Sequence, residues 1–232
     1  MKRLILVLLA ALWTAPARGQ ILSFTSDQLI RYTAKNPFER FPDGRPKVPD
    51  ALLEKVRAMS VEEAWGILRQ KGYLFQYGGE FKILHPGRKL VGRAVTAQYL
   101  PLRPDLAEVV DGTIRDLEGI AELPTQIYFK APHPAAVGGV MIAGINIPVK
   151  VGEAIVMPGD VVLGDRTGVI FIPPHLVQEI VDQAEITHIH DEWTKAKFLT
   201  GKYKASELYP SPTSSELKAE YEAYLKERLK GK

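Results

Sequence analysis

The chain has 232 residues, 46% of them hydrophobic and 25% charged, enough to bury one substantial core or at most two small ones. It has no cysteine, which excludes disulfides and thiolate metal sites. The net charge of +3 is carried by residues 1–19, where Lys2, Arg3 and Arg18 have no acid beside them; the remainder is formally neutral, and no basic cluster interleaved with aromatics argues for nucleic acid.

In chain order, residues 1–19 read as a secretory signal peptide. Lys2 and Arg3 precede an apolar run over 4–13 that is too short to span a bilayer comfortably. Ala15 and Ala17, or Ala17 and Gly19, offer the small residues of a cleavage site. The expectation is an exported chain, periplasmic or secreted, with no stable membrane span after cleavage. No cysteine follows for a lipid anchor. Residues 20–48 form a leader whose turn-rich stretch 38–46 is expected on the surface.

Pro49 opens a helix with Leu52, Leu53, Val56 and Met59 at helical spacing. Ser60 and Glu63 fit a capping box for a second helix through Ala64, Trp65 and Leu68, with Gly72 as its stop. Strand signals follow over 90–100, 125–130, 145–151 and 153–157. Residues 158–173 read as turn, strand, tight turn at Gly168, strand and proline stop. Pro174 starts a helix through Leu176, Val177, Ile180, Val181 and Ala184 that reaches about residue 199 and stops at Gly201. A linker over 210–215 leads to a charged helix over 214–230 that packs through Leu217, Tyr221, Tyr224 and Leu225. The expected main domain is 49–209, with linker and terminal helix over 210–232.

Two segments resemble a known family. Val110-Asp111-Gly112-Thr113-Ile114-Arg115-Asp116 is similar to the loop that carries the Arg-Asp pair of RraA-like proteins. The run from Met157-Pro158-Gly159-Asp160 through Asp165 and Gly168-Val169 to Pro173 is similar to that family's hairpin. The resemblance covers roughly residues 85–200. It implies an α/β fold, a swivelling β/β/α domain with helical N- and C-terminal extensions here, assembled as a homo-oligomeric ring-shaped trimer. It also implies a divalent-metal-dependent pyruvate aldolase of the 4-hydroxy-4-methyl-2-oxoglutarate type that decarboxylates oxaloacetate, a small 2-keto acid substrate, and Mg²⁺ or Mn²⁺ as cofactor. A carboxylate from a neighbouring subunit's terminal helix joins the site in that family, a role matched by Asp191 or Glu192.

The chemistry of the pair agrees. Cleaving a 2-keto acid beside its carbonyl needs an electron sink, which a divalent cation supplies. Asp116 is a hard oxygen ligand suited to Mg²⁺, and Arg115 presents a fork for a carboxylate. Neighbouring side chains diverge in a strand, so both serve one site only in a loop. The alternative is a surface turn with its own charge pair.

The family pattern sets an acidic residue and then twenty residues before the Arg-Asp pair. That position is Ala94 here, within the strand expected over 90–100, and the accompanying glycine-rich loop is missing. The chain therefore reads as carrying an internal deletion. The Arg-Asp pair favours an enzyme; the missing acid and loop favour a non-catalytic, oligomeric binding or regulatory module.

Other candidates are weaker. His188 and His190 diverge on a helix, and 188–192 reads as a solvated face. His133 reads as a surface-loop histidine, and Asp165 with Arg166 as turn chemistry. Gly138, Gly139 and Gly144 lack dinucleotide-site spacing.

Overall fold

The computed structural model describes residues 22–101, 126–131 and 140–230. Strand β1 (Leu22–Ser23) leads into α1 (Ser26–Tyr32), where Thr25 and Gln28 form a reciprocal capping box. The stretch over 38–46 is only partly at the surface. The Arg40 guanidinium donates to Thr33 Oγ1, the Thr33 carbonyl and the Gly44 carbonyl, which closes the loop on itself. With its backbone satisfied this way, the loop buries Gly44 and Pro46, and Val48 behind them is fully enclosed.

Helix α2 (Asp50–Ala58) turns Leu52, Leu53 and Val56 inward. Helix α3 (Val61–Gln70) opens on the expected Ser60–Glu63 box and closes at Gly72, whose φ of 84° only glycine adopts freely. There the Tyr73 amide donates to the Leu68 carbonyl at 2.9 Å and the Gly72 amide to the Arg69 carbonyl at 3.0 Å, a Schellman ending.

The strands are β2 (Tyr77–Gly78), β3 (Lys82–Ile83), β4 (Leu90–Arg93), β5 (Ala97–Pro101), β6 (Tyr128–Phe129), β7 (Val140–Ile145), β8 (Val149–Val151), β9 (Ala154–Val156), β10 (Val161–Asp165) and β11 (Gly168–Ile172). They form an antiparallel sheet β2-β11-β10-β4, a mixed sheet β1-β7-β5, and two-stranded pairs β3-β6 and β8-β9. A 3₁₀ turn (Pro174–Leu176) then starts α4 (Val177–Phe198), followed by α5 (Ala205–Leu208) and α6 (Ser215–Lys230).

The expected hairpin is the centre of the molecule. Every residue of β11 is buried. Val161, Leu163, Ile170 and Ile172 face α2, α3 and α4, meeting Val56, Leu68 and Ile180. Val169 and Phe171 face the other way, onto Ala94, Ala154 and Val156. The strand period of two thus serves two cores at once.

The single strand expected over 90–100 is two strands in two sheets. β4 pairs with β10, and β5 pairs with β7. Between them the chain changes partner. Ala94 donates to the Asp160 carbonyl and accepts from the Gly159 amide, and Thr96 Oγ1 donates to the Ile147 carbonyl at 2.6 Å. Helix α6 packs through Leu217, Tyr221 and Tyr224 onto Trp193 and Leu208, as its sequence implies, while Leu225, expected with them, is not part of that cluster.

Ile170→Ala removes a fully buried side chain from the larger core and is expected to lower the unfolding free energy by about 2–5 kcal/mol in urea titrations at unchanged m-value.

Candidate functional site

The Pro158-Gly159-Asp160 turn is the best-defined part of the candidate site. Gly159 has a φ of 93°, and a Cβ there would lie 2.4 Å from Pro46 Cδ, so the position admits only glycine. The Asp160 side chain accepts from the Met157 amide at 2.8 Å and is almost wholly buried. Burial pushes its carboxyl up to about 7, against the lowering effect of the Met157 hydrogen bond.

This turn grips Ala94, the position at which the family pattern sets its acid. Ala94 is buried, hydrogen-bonded on both sides to the turn, and its methyl belongs to the apolar cluster with Val156 and Phe171. A carboxylate there would replace a methyl packed in that apolar cluster, with its backbone already committed.

Asp165 and Arg166 sit at the hairpin tip. One Asp165 oxygen accepts from the Thr167 amide and hydroxyl, and the other from the Val61 amide at the start of α3. Burial alone would raise its pKa, but these hydrogen bonds hold it below the usual carboxylate range. Asp165 therefore closes the turn and ties the hairpin to α3.

Arg115 and Asp116 lie outside the described residues, as do His133, Gly138 and Gly139. Asp191 and Glu192 lie on α4. Glu192 is ion-paired to Arg228 of α6 at 2.7 Å, and Asp191 is exposed, 4.0 Å from His190 Nδ1. His188 and His190 do diverge. His188 Nε2 meets Glu63 at 2.5 Å, the same side chain that caps α3. His190 departs from the solvated face expected of it. It is buried among Trp193, Tyr209 and Tyr221, because α5 and α6 return over that side of α4. Among the described residues, no group of three or more His, Asp or Glu side chains is placed to hold a metal ion.

A second cluster gave no signal in the sequence. Tyr73 Oη lies 3.1 Å from His175 Nε2, joining residues a hundred positions apart, beside the Gln76 side chain and Lys35. Burial first, and Lys35 second, lower the pKa of His175.

Fold and turn together define an α/β protein of the RraA architecture. The RraA-like family description (Aldolase/RraA) matches residues 106–171, which takes in Arg115, Asp116 and nearly the whole hairpin. A protein of Halalkalibacterium halodurans provisionally named a 4-hydroxy-4-methyl-2-oxoglutarate aldolase is 33% identical over 84 residues, 36% of this chain and 40% of that protein. An uncharacterized protein of Methanocaldococcus jannaschii is 31% identical over 94 residues, 40% of this chain and 45% of that protein. The chain thus matches less than half the length of either relative. The crystal structure of Streptomyces coelicolor RraAS2, described as an unusual member of the RNase ES inhibitor RraA protein family, superposes with a TM-score of 0.56 at 24% identity. That superposition covers 65% of this chain and 100% of RraAS2. Residues 106–171 are thus similar to the RraA-like family, and the fold is similar to that of an RraA-family structure.

The raised pKa of Asp160 has a defined consequence. The folded state holds this proton up to about pH 7 while the unfolded chain releases it near 3.8, so stability falls as pH rises through that window. Asp160→Asn is expected to remove that part of the slope, read from denaturant midpoints across the window; an unchanged slope would show that Asp160 is not its source.

Proposed function

We propose that the chain is a divalent-metal-dependent lyase acting on small 2-keto acids, of the 4-hydroxy-4-methyl-2-oxoglutarate aldolase type with oxaloacetate decarboxylase activity. The observation that carries this reading is the family match over residues 106–171, which contains Arg115 and Asp116 in order before the hairpin. The partly matching relative provisionally named as such an aldolase supports it. Arg115 takes the substrate carboxylate in two parallel hydrogen bonds. Asp116 holds the cation, Mg²⁺ or Mn²⁺ by the preference of oxygen donors. When bound, that cation supplies the electron sink at the keto oxygen as the adjacent carbon–carbon bond breaks. Asp191 or Glu192 is proposed to contribute to a neighbouring copy's site in a homo-oligomer, a trimer by family resemblance.

A second reading rests on Ala94. The position that pairs with Arg115 in the family pattern is a core methyl here, enclosed by the Gly159–Asp160 turn. That favours a non-catalytic RraA-like module working through assembly or partner binding. We also propose export: the apolar run over 4–13 has the form of a cleaved signal.

Oxaloacetate decarboxylation by the purified protein, with and without Mg²⁺ or Mn²⁺, separates the two readings. Metal-dependent pyruvate release that falls about 10²-fold or more in Asp116→Ala supports the enzyme. Release no faster than free metal, from protein shown to be folded by circular dichroism, supports the binding module.

A further inference from the structure

Helix α4 does not bury its last apolar residues. Phe198 is 53% exposed and Leu199 is 75% exposed, the latter more than any other large hydrophobic side chain among the described residues. They stand where α4 ends and the chain turns over 199–204 before entering α5. A single exposed leucine needs no explanation, but two adjacent large apolar side chains at the end of a long helix, flanked by one sign of charge, form a patch with a preferred kind of partner.

The turn that displays them is tightly closed. The Leu199 amide donates to the Lys195 carbonyl, the Thr200 amide to the Lys197 carbonyl and the Gly201 amide to the Phe198 carbonyl, each at 3.1 Å. Thr200 Oγ1 donates to the Lys197 carbonyl at 2.7 Å and accepts from the Lys202 amide at 3.3 Å. Gly201, with a φ of 70°, makes the reversal. Behind the turn, Lys197 is ion-paired to Glu220 and lies over the rings of Trp193 and Tyr203, which fixes the tip to the body of the protein. Backbone groups satisfied within the tip can enter a poorly hydrated medium without losing their hydrogen bonds. The free charge beside the tip is positive. Lys195, Lys202 and Lys204 are exposed and have no salt-bridge partner among the described residues, whereas Glu220 is paired to Lys197 and Glu207 accepts from the Lys204 amide at 2.7 Å.

We propose that this tip docks the protein on the surface of an anionic lipid bilayer, with Phe198 and Leu199 entering the boundary between headgroups and acyl chains and Lys195, Lys202 and Lys204 meeting the lipid phosphates. Lysine suits that boundary, because its long apolar stem lets the ammonium stay among the headgroups while the neighbouring apolar side chains go deeper. An acidic protein surface would match the lysines but set Leu199 against charge, and a purely apolar partner would desolvate three ammonium groups without pairing them. The contact is peripheral and needs no membrane-spanning helix. It is independent of the aldolase reading, since it uses neither Arg115 nor Asp116.

The test is co-sedimentation with vesicles of phosphatidylcholine alone and of phosphatidylcholine mixed equally with phosphatidylglycerol, using protein without residues 1–19, whose apolar run would itself enter lipid. Binding to the mixed vesicles about tenfold or more tighter than to phosphatidylcholine is expected, and it should fall away in about 0.5 M sodium chloride. Phe198→Ser combined with Leu199→Ser, at exposed positions outside the core, is expected to weaken that binding about tenfold or more. Lys195→Gln, Lys202→Gln and Lys204→Gln together are expected to bring the mixed vesicles down to the level of phosphatidylcholine. Equal binding to both vesicle types would overturn the proposal, as would undiminished binding by either folded variant. A lipid-free assembly that the serine variant disperses, without vesicle binding, would overturn it in favour of a second copy of the chain covering the tip. Because no keto acid or divalent metal is used, these outcomes are separate from success or failure of the decarboxylase assay.

Discussion

The structure depends on one hairpin being buried on both faces. β10 and β11 send alternate side chains to opposite sides: Leu163 and Ile170 toward three helices, Val169 and Phe171 toward β8, β9 and Ala94. A strand covered on both sides cannot slip by one residue without exchanging its two cores, so the register is set by the packing itself. The tight tip follows from that register. Asp165 closes it by accepting from Thr167 and at the same time accepts from Val61, which joins the tip to α3. Gly168 leaves room at the same tip, where a Cβ would lie 2.7 Å from the Gly78 carbonyl oxygen.

The other end of the hairpin organises the region expected to hold the chemistry. The Gly159–Asp160 turn closes on Pro46 from one side and on Ala94 from another. It thereby makes the chain leave one sheet after Arg93 and enter a second at Ala97. An acidic side chain at position 94 would have to enter an apolar cluster, next to a turn whose own Asp160 already meets a strong desolvation penalty. The absence of the acid and the closure of the surrounding core are two views of one packing solution. The enzymatic reading then rests on the Arg115–Asp116 pair and on whatever a neighbouring copy contributes.

The segment before α2 and the helix α6 are both tied into the fold. Arg93 reaches back to the Val48 carbonyl and to Asp50, joining the leader to β4 and α2. Lys197 meets Glu220, and Arg228 meets Glu192, so α6 lies along α4 and closes the aromatic cluster around His190. These exposed ion pairs contribute little stability singly; the burial of Trp193, Leu208 and Leu217 holds the helix in place.

Local chemistry was legible in the sequence wherever neighbours decide the outcome. The Ser60–Glu63 box, the stop at Gly72, the hairpin with its turn at Gly168, and the apolar faces of α4 and α6 all follow from residues a few positions apart. The family resemblance rested on two such local motifs. Tertiary structure alone decided what depends on distant partners. It divided 90–100 between two sheets, because β10 and β7 each claim half of it. It buried His190, because α5 and α6 fold back over it. It also set Tyr73 against His175, because two segments far apart in sequence meet there. Periodicity records which face of an element is apolar; it does not record which distant element will cover that face.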